Sequence, residues 1–336
     1  MAEVFRMLYN KLFPPAPLTA PLDGRVYIVT GGLSGIGYFT TLSLAQRGAT
    51  VLVGVRDLAR AQQALSTLEA EHPSLVGRVK TFELDLASFA KAREGAQRAL
   101  EAVEGEGGRP DGVVNNAARL IDVPFEMGED GFELSMQTNY LAPILFIETL
   151  LPLLEKTSQQ PGSDVRLVWV SSNAGSMVPR DWTFTSPASF NQTLAKKNAD
   201  PEAYYTRFAR YGASKMLPTV YIEELQKRLR ERGSKVLAIA VNPGGTQTPG
   251  TRTMPFPFTL LVPLLFNTTP NGALTSLFAL TAPEVRADER KYGGRYLEPY
   301  GRVEKVPGPP ALAKEETRER VREATREVLK GHGVEL

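Results

Sequence analysis

Thr30-Gly31-Gly32-Leu33-Ser34-Gly35-Ile36-Gly37 directly follows the apolar run Val26 to Val29. A strand that ends in a glycine-rich turn and opens a helix lets the backbone approach a pyrophosphate at the helix N-terminus, where unpaired N–H groups and the helix dipole favour negative charge. The stretch therefore predicts a dinucleotide-binding unit. Glycines also mark ordinary tight turns, so the reading rests on what recurs downstream. β-Branched apolar runs return at Val51 to Val55, Val79 to Leu84, Gly112 to Val114, Val165 to Val170 and Val236 to Val241, separated by segments of helical periodicity. Such alternation is the pattern of βαβ units around a parallel sheet. The expected fold class is α/β, a Rossmann-type doubly wound sheet of about seven strands with helices on both faces, in one domain. Ligands of such sheets bind beyond the carboxyl ends of the strands. Gly31 to Gly37, Arg56, Asp85, Asn115 to Ala117, Ser171, Ser172 and Asn242 to Thr248 should therefore line one crevice.

Composition removes whole classes of chemistry. Of 336 residues, 42% are hydrophobic, enough to bury a large core. The 39 Lys and Arg are intermixed with 37 Asp and Glu, which lacks the clustered positive footprint of a nucleic-acid binder. There is no cysteine, and His72 and His332 are the only histidines, so neither a thiol nucleophile nor a metal centre is expected. Catalysis must rest on oxygen and amine groups. No signal peptide and no bilayer-spanning run is read from the sequence, and a cytoplasmic enzyme is the simplest expectation.

Three divisions are expected: an extension over 1–24, a catalytic domain over 25–300 and a tail over 301–336 ending in a helix. In the extension, Val4, Phe5, Leu8 and Leu12 recur at helical spacing, predicting a short helix packed on the body, with a weak membrane-surface anchor as the alternative. Within the domain, an insertion over 173–210 and a substrate loop over 248–270 should cover the substrate. Trp182, Phe184, Phe190, Tyr204 and Tyr205 would stack on it or anchor the insertion. The run Met254 to Phe266 is too short to cross a membrane and too apolar to stand in water alone, which suggests a lid over an apolar pocket, with core packing or membrane contact as alternatives. In the tail, Glu315 and Arg318, Glu319 and Arg322, and Glu323 and Arg326 are spaced by three, beside an apolar stripe of Val321, Ala324 and Val328. That pattern predicts a solvated helix docked on one side.

Tyr211-Gly212-Ala213-Ser214-Lys215 puts a phenol and an ammonium one helical turn apart. A phenol titrates near pH 10 and is a poor acid–base group at neutrality unless a nearby cation favours the phenolate, which Lys215 would supply. In isolation, such a pair is an ordinary surface feature. Here it stands among TGGLSGIG at Thr30, NNA at Asn115, Asn139 in MQTNYLAP, VWVSS ending at Ser172, and NPGGTQT at Asn242. Taken together and in this order, these motifs resemble the short-chain dehydrogenase/reductase family, from about Gly24 to Leu297, and the stretches GFELSMQTNYLAP, RYGASK, TPNGA and GGRYL look like its retinol-dehydrogenase-like branch.

The resemblance implies roles. Ser172 would hydrogen-bond a substrate carbonyl, with Ser171 as competitor; Tyr211 would donate the proton; Lys215 would lower the Tyr211 pKa and hold a nicotinamide ribose; Asn139 would position a relay water. Gly31, Leu33, Ser34, Gly35, Ile36 and Gly37 would cradle the pyrophosphate. Asp85 would bond the adenine, Asn115 and Ala117 would border its ribose, and Pro243, Gly244 and Thr248 would meet the carboxamide end. Where NAD-preferring members close the second strand with Asp, this chain has Val55 followed by Arg56, whose fork of donors suits a 2′-phosphate, so NADP(H) is expected over NAD(H). The implied activity is interconversion of a carbonyl and an alcohol on a hydrophobic small molecule, by a monomer or homodimer. A membrane-surface retinoid or lipid dehydrogenase and a catalytically silent nicotinamide-binding regulator are the alternatives. Pro218, three residues past Lys215, is expected to kink the helix that carries the motif.

Overall fold

The computed structural model describes residues 2–195, 200–247 and 258–336. Eight strands form one sheet: β1 (Val26–Thr30), β2 (Thr50–Val55), β3 (Val79–Glu83), β4 (Gly112–Asn115), β5 (Arg166–Val170), β6 (Leu237–Val241), β7 (Tyr296–Glu298) and β8 (Arg302–Glu304). Their spatial order is β3-β2-β1-β4-β5-β6-β7-β8, parallel throughout except for the antiparallel β7–β8 pair. The Rossmann-type doubly wound α/β architecture is thus observed, with one strand more than expected. β8 also moves the domain boundary: the sheet ends at Glu304, so part of the 301–336 tail is integral to it.

The helices before, between and after these strands are α1 (Ala2–Leu12), α2 (Gly35–Gln46), α3 (Leu58–Glu71), α4 (Phe89–Gly105), α5 (Leu134–Met136), α6 (Ala142–Ser158), α7 (Tyr204–Glu231), α8 (Phe258–Leu265), α9 (Thr269–Thr281), α10 (Pro283–Ala287), α11 (Glu289–Tyr292) and α12 (Glu315–Lys330). Side chains alternate across each strand, which builds two cores. Ile28, Leu52, Val113, Leu167 and Trp169 pack with α4, α6, α7 and α12 on one face. Val29, Val53, Val114, Val168 and Ile239 pack with α2, α3 and α9 on the other. Burial on both faces explains why the strand sequences read as unbroken apolar runs.

Several expectations are revised. The insertion is shorter than 173–210, because residues 204–210 form the first turns of α7. Phe184 and Phe190 are buried in the first core, Phe190 edge-on to Tyr140 at 5.9 Å, so they anchor the insertion and do not face a ligand. α7 runs through Pro218 as one helix of 28 residues. The proline sits in the buried stretch of that helix, where packing on all sides outweighs the single backbone bond it removes. α12 docks on one side as expected, its Val321, Ala324, Val328 and Leu329 buried. Its ion pairs differ in part: Arg322 reaches Glu319 at 3.0 Å but also Glu223 and Glu224 of α7 at 3.6 Å, and Arg326 pairs with Glu319 at 3.0 Å. α1 is docked too, but Val4, Phe5 and Leu12 of its apolar stripe face outward and only Leu8 is half-buried.

Candidate active site

Register alone lines up the site. Val29 pairs with Val53 and Val114, Val114 with Val168, and Val170 with Val241, so the loops after β1, β2, β4, β5 and β6 leave the sheet along one edge. In the glycine loop, Gly31 and Gly35 adopt φ of +65° and +53°, conformations open to glycine at little cost. A side chain at Gly37 would overlap the Gly31 carbonyl, and at Gly35 would point into open space. Ser34 precedes α2 without capping it, and no acidic residue stands in that helix's first turn. The orphan N–H groups of the helix start are therefore free of side-chain partners among the described residues. A cradle of this kind fits a nucleotide phosphate. Leu33 and Ile36 pack beneath it against the second core.

The loop is braced by Thr30 and Asn116, to which the sequence assigned no role of their own. Thr30 Oγ1 donates to Asn115 Oδ1 at 3.2 Å and accepts from the backbone N–H groups of Asn116 and Ala117, each at 2.9 Å. Asn116 Nδ2 donates to the carbonyls of Thr30 and Gly31 at 3.0 and 3.2 Å. One threonine and one asparagine thus tie the end of β4 to the glycine turn. The only signal in the sequence was their polarity at the ends of apolar strands. Asn115 keeps a buried Nδ2 without a partner.

On the adenosine side, Arg56 is exposed and forms no ion pair among the described residues, while Asp57 caps α3 by accepting from the Arg60 N–H at 3.0 Å. Asp85 accepts from the Ala87 N–H at 3.0 Å and pairs with Lys91 at 3.3 Å. Past β6, Pro243 is buried, Gly244 has φ +78°, and its N–H donates to Asn242 Oδ1 at 3.1 Å. Thr248 lies outside the described residues, as do residues 249–257 of the substrate loop.

The catalytic candidates converge on the start of α7. Ser171 is buried and its hydroxyl donates to the Lys215 carbonyl at 2.6 Å. Ser172 is half-buried and accepts from the Ala174 N–H at 3.1 Å, opening the 3-10 turn Asn173–Met177. That turn packs on α7 where Gly212 sits; a side chain there would overlap the Ala174 carbonyl. Lys215 Nζ donates to the Val170 carbonyl at 2.8 Å. Asn139 lies in a π-helical turn, Gln137–Leu141, between α5 and α6. Its Oδ1 accepts from the Arg119 N–H at 2.7 Å, and its Nδ2 donates to the Arg119 carbonyl at 3.0 Å and to Ser214 Oγ at 2.8 Å. Both amide protons are used, so the side chain braces the loop after β4 against α7. Tyr211 is half-buried, and its hydroxyl has no hydrogen-bond partner among the described residues.

The electrostatics invert one expectation. Burial pushes the Tyr211 phenol up to about 12 and the Lys215 ammonium down to about 7. No carboxylate among the described residues offsets the desolvation of either group, and Lys215 meets a carbonyl, not the phenol, so the expected lowering of the Tyr211 pKa is not found among them. Among the described residues there is no cluster of metal-ligating side chains.

Comparison with known proteins agrees with this geometry. The model of the short chain dehydrogenase family matches residues 25–186. A short chain dehydrogenase/reductase of Colletotrichum higginsianum, dpchH, is 36% identical over 86% of this chain and 71% of its own length. Human polyprenol dehydrogenase is 32% identical over 85% of this chain and 78% of that protein. The fold superposes on the RhlG/NADP active-site complex of Pseudomonas aeruginosa with a TM-score of 0.60 at 23% identity, covering 85% of this chain and 98% of the other. The chain belongs to the short-chain dehydrogenase/reductase family, whose members are oxidoreductases that use NAD(P) and act on small molecules.

Proposed function

We propose that this chain is an NADP(H)-dependent oxidoreductase that interconverts a ketone or aldehyde with its alcohol on a hydrophobic small molecule. The observation that carries the reading is the division between two adjacent serines and a phenol. Ser171 is consumed by α7, whereas Ser172 and Tyr211 are half-buried residues on adjoining elements, the Tyr211 hydroxyl without a hydrogen-bond partner among the described residues. Ser172 would donate to the substrate oxygen and Tyr211 Oη would protonate it; a phenol near 12 is fully protonated at neutral pH, the form that reduction needs. When bound, a reduced nicotinamide supplies hydride to the carbonyl carbon. Gly31, Leu33, Ser34, Gly35, Ile36 and Gly37 would hold its pyrophosphate, Arg56 its 2′-phosphate, Asp85, Asn115 and Ala117 its adenosine, Lys215 its nicotinamide ribose, and Pro243 and Gly244 its carboxamide end. Asn139 would keep the loop after β4 in register with Ser214.

Arg56, just past β2 and without an acidic partner among the described residues, supports NADP(H) over NAD(H), as does the NADP in the RhlG complex. A relative named for a polyprenol supports an apolar substrate. The test is a panel of apolar ketones, aldehydes and alcohols followed by nicotinamide absorbance with each cofactor. NADPH-linked turnover is expected, and Arg56→Asp should shift the NADPH-to-NADH ratio of kcat/KM toward NADH by roughly 100-fold. An unchanged ratio rejects the phosphate role, and tight NADPH binding with no turnover across the panel leaves a silent binding protein.

A further inference from the structure

We propose that the outward faces of α1 and α8 form a single surface that docks the protein on a lipid bilayer. Phe5 is 73% exposed, Leu12 and Leu260 are each 66%, and Phe13 is 64%, with Val4, Tyr9 and Leu264 exposed beside them. These side chains make up most of the large exposed hydrophobics among the described residues, and they fall on two short elements that touch.

The polar bonds of α1 point inward. Lys11 Nζ donates to the carbonyls of Pro263 and Leu264, the latter at 3.1 Å, and Tyr300 Oη donates to the Asn10 carbonyl at 2.9 Å, while the Met7 methyl lies over Gly245. The helix is therefore fixed to the body by its polar side and turns its apolar stripe to the outside, the reverse of an ordinary surface helix. Phe5, Tyr9, Leu12 and Phe13 follow one another at helical spacing along that outer face.

Charge selects the occupant. Residues 3–22 and 258–270 together carry Glu3, Arg6 and Lys11 and no other charge. Lys11 is committed to the α8 carbonyls, so Arg6 is the cation this face presents, and a second copy set face to face on the patch would bury that guanidinium against its own copy, with Glu3 the one carboxylate in these segments. An interfacial lipid layer takes Phe, Leu and Tyr into the acyl boundary and leaves Arg6 among headgroup phosphates. At 11 and 8 residues, α1 and α8 are too short to cross a bilayer and would lie in its plane. The surface adjoins the proposed site, since Thr246 bridges to Asn267 just beyond α8. Docking stands independently of the proposed activity; delivery of apolar substrate to the crevice from the lipid would rest on it.

The experiment is flotation of the full chain with phosphatidylcholine vesicles, with and without 20% phosphatidylserine as the probe of Arg6 (roughly one charged lipid in five). Wild type should float with both, more strongly with phosphatidylserine. Phe5→Asp with Leu12→Asp, and separately Leu260→Asp with Leu264→Asp, should each lower partitioning roughly tenfold or more, whereas Met127→Asp, at an exposed site on neither α1 nor α8, should leave it unchanged. NADPH binding by each variant reports folding, and Tyr211→Phe should float like wild type, which separates failure of docking from failure of the catalytic reading. Absence of wild-type flotation, equal flotation of the paired Asp variants, or self-association that those variants abolish without vesicle binding would each overturn the proposal.

Discussion

Ser171 and Ser172 differ by one position and by everything that surrounds them. A strand sends successive side chains to opposite faces, so one hydroxyl turns into the α7 contact and the other toward the crevice. Ser172→Ala should lower kcat/KM by roughly 100-fold with little loss of stability. Ser171→Ala should cost about 1 kcal/mol of folding free energy, measured by denaturant titration, with a smaller kinetic effect. The reverse pattern would exchange their roles. Lys215 offers a second check at this scale. Burial holds it near 7, below its ordinary 10.5, so between those values the unfolded chain binds a proton that the folded chain refuses. Stability is thereby lost as pH falls from about 10.5 to about 7, by at most about 1.4 kcal/mol per pH unit. The thermal midpoint of Lys215→Met should rise relative to wild type across that window and level off below it; a difference that does not vary with pH would contradict the burial. Tyr211 and Lys215 stood out in the sequence because a spacing of four survives in a linear string, whereas Ser172 and Asn139 were named only through the family resemblance. The direction of the Tyr211 shift was not legible, because desolvation depends on elements far apart in sequence.

α7 shows how an element can override local preference. A glycine inside a helix ordinarily costs about 1 kcal/mol against alanine, yet Gly212 is where the backbone of α7 meets the Ala174 carbonyl and brings Tyr211 beside the Ser172 turn. Gly212→Ala should therefore destabilise by about 1–3 kcal/mol and depress kcat more than NADPH affinity. An alanine variant that is more stable and fully active, as helix propensity alone demands, would show that the contact is not tight. Six strands were readable because a parallel sheet covered on both faces selects unbroken β-branched runs. β7 and β8 were hidden by their length of three residues each, too short to show any period. The apolar stripe of α1 was read correctly and its orientation was not, since periodicity shows that a helix has two faces and says nothing of which one meets the body.

At the scale of the whole molecule, the two cores and the register of the parallel strands bring one edge of loops together, and α12 closes the first core through Arg322 with Glu223, Glu224 and Glu319, and through Tyr140 with Thr325 at 2.8 Å. Glycine loop, serine turn and α7 are separate in sequence, and the sheet is what gives them one address. We read that address as an acid–base site for carbonyl chemistry, with Tyr211 as its proton donor. The most direct test is steady-state and single-turnover kinetics of Tyr211→Phe with NADPH and the best carbonyl substrate, alongside NADPH titration. NADPH affinity should stay within about threefold of wild type while turnover falls by roughly 100- to 10,000-fold. Turnover within a few-fold of wild type would contradict the central claim.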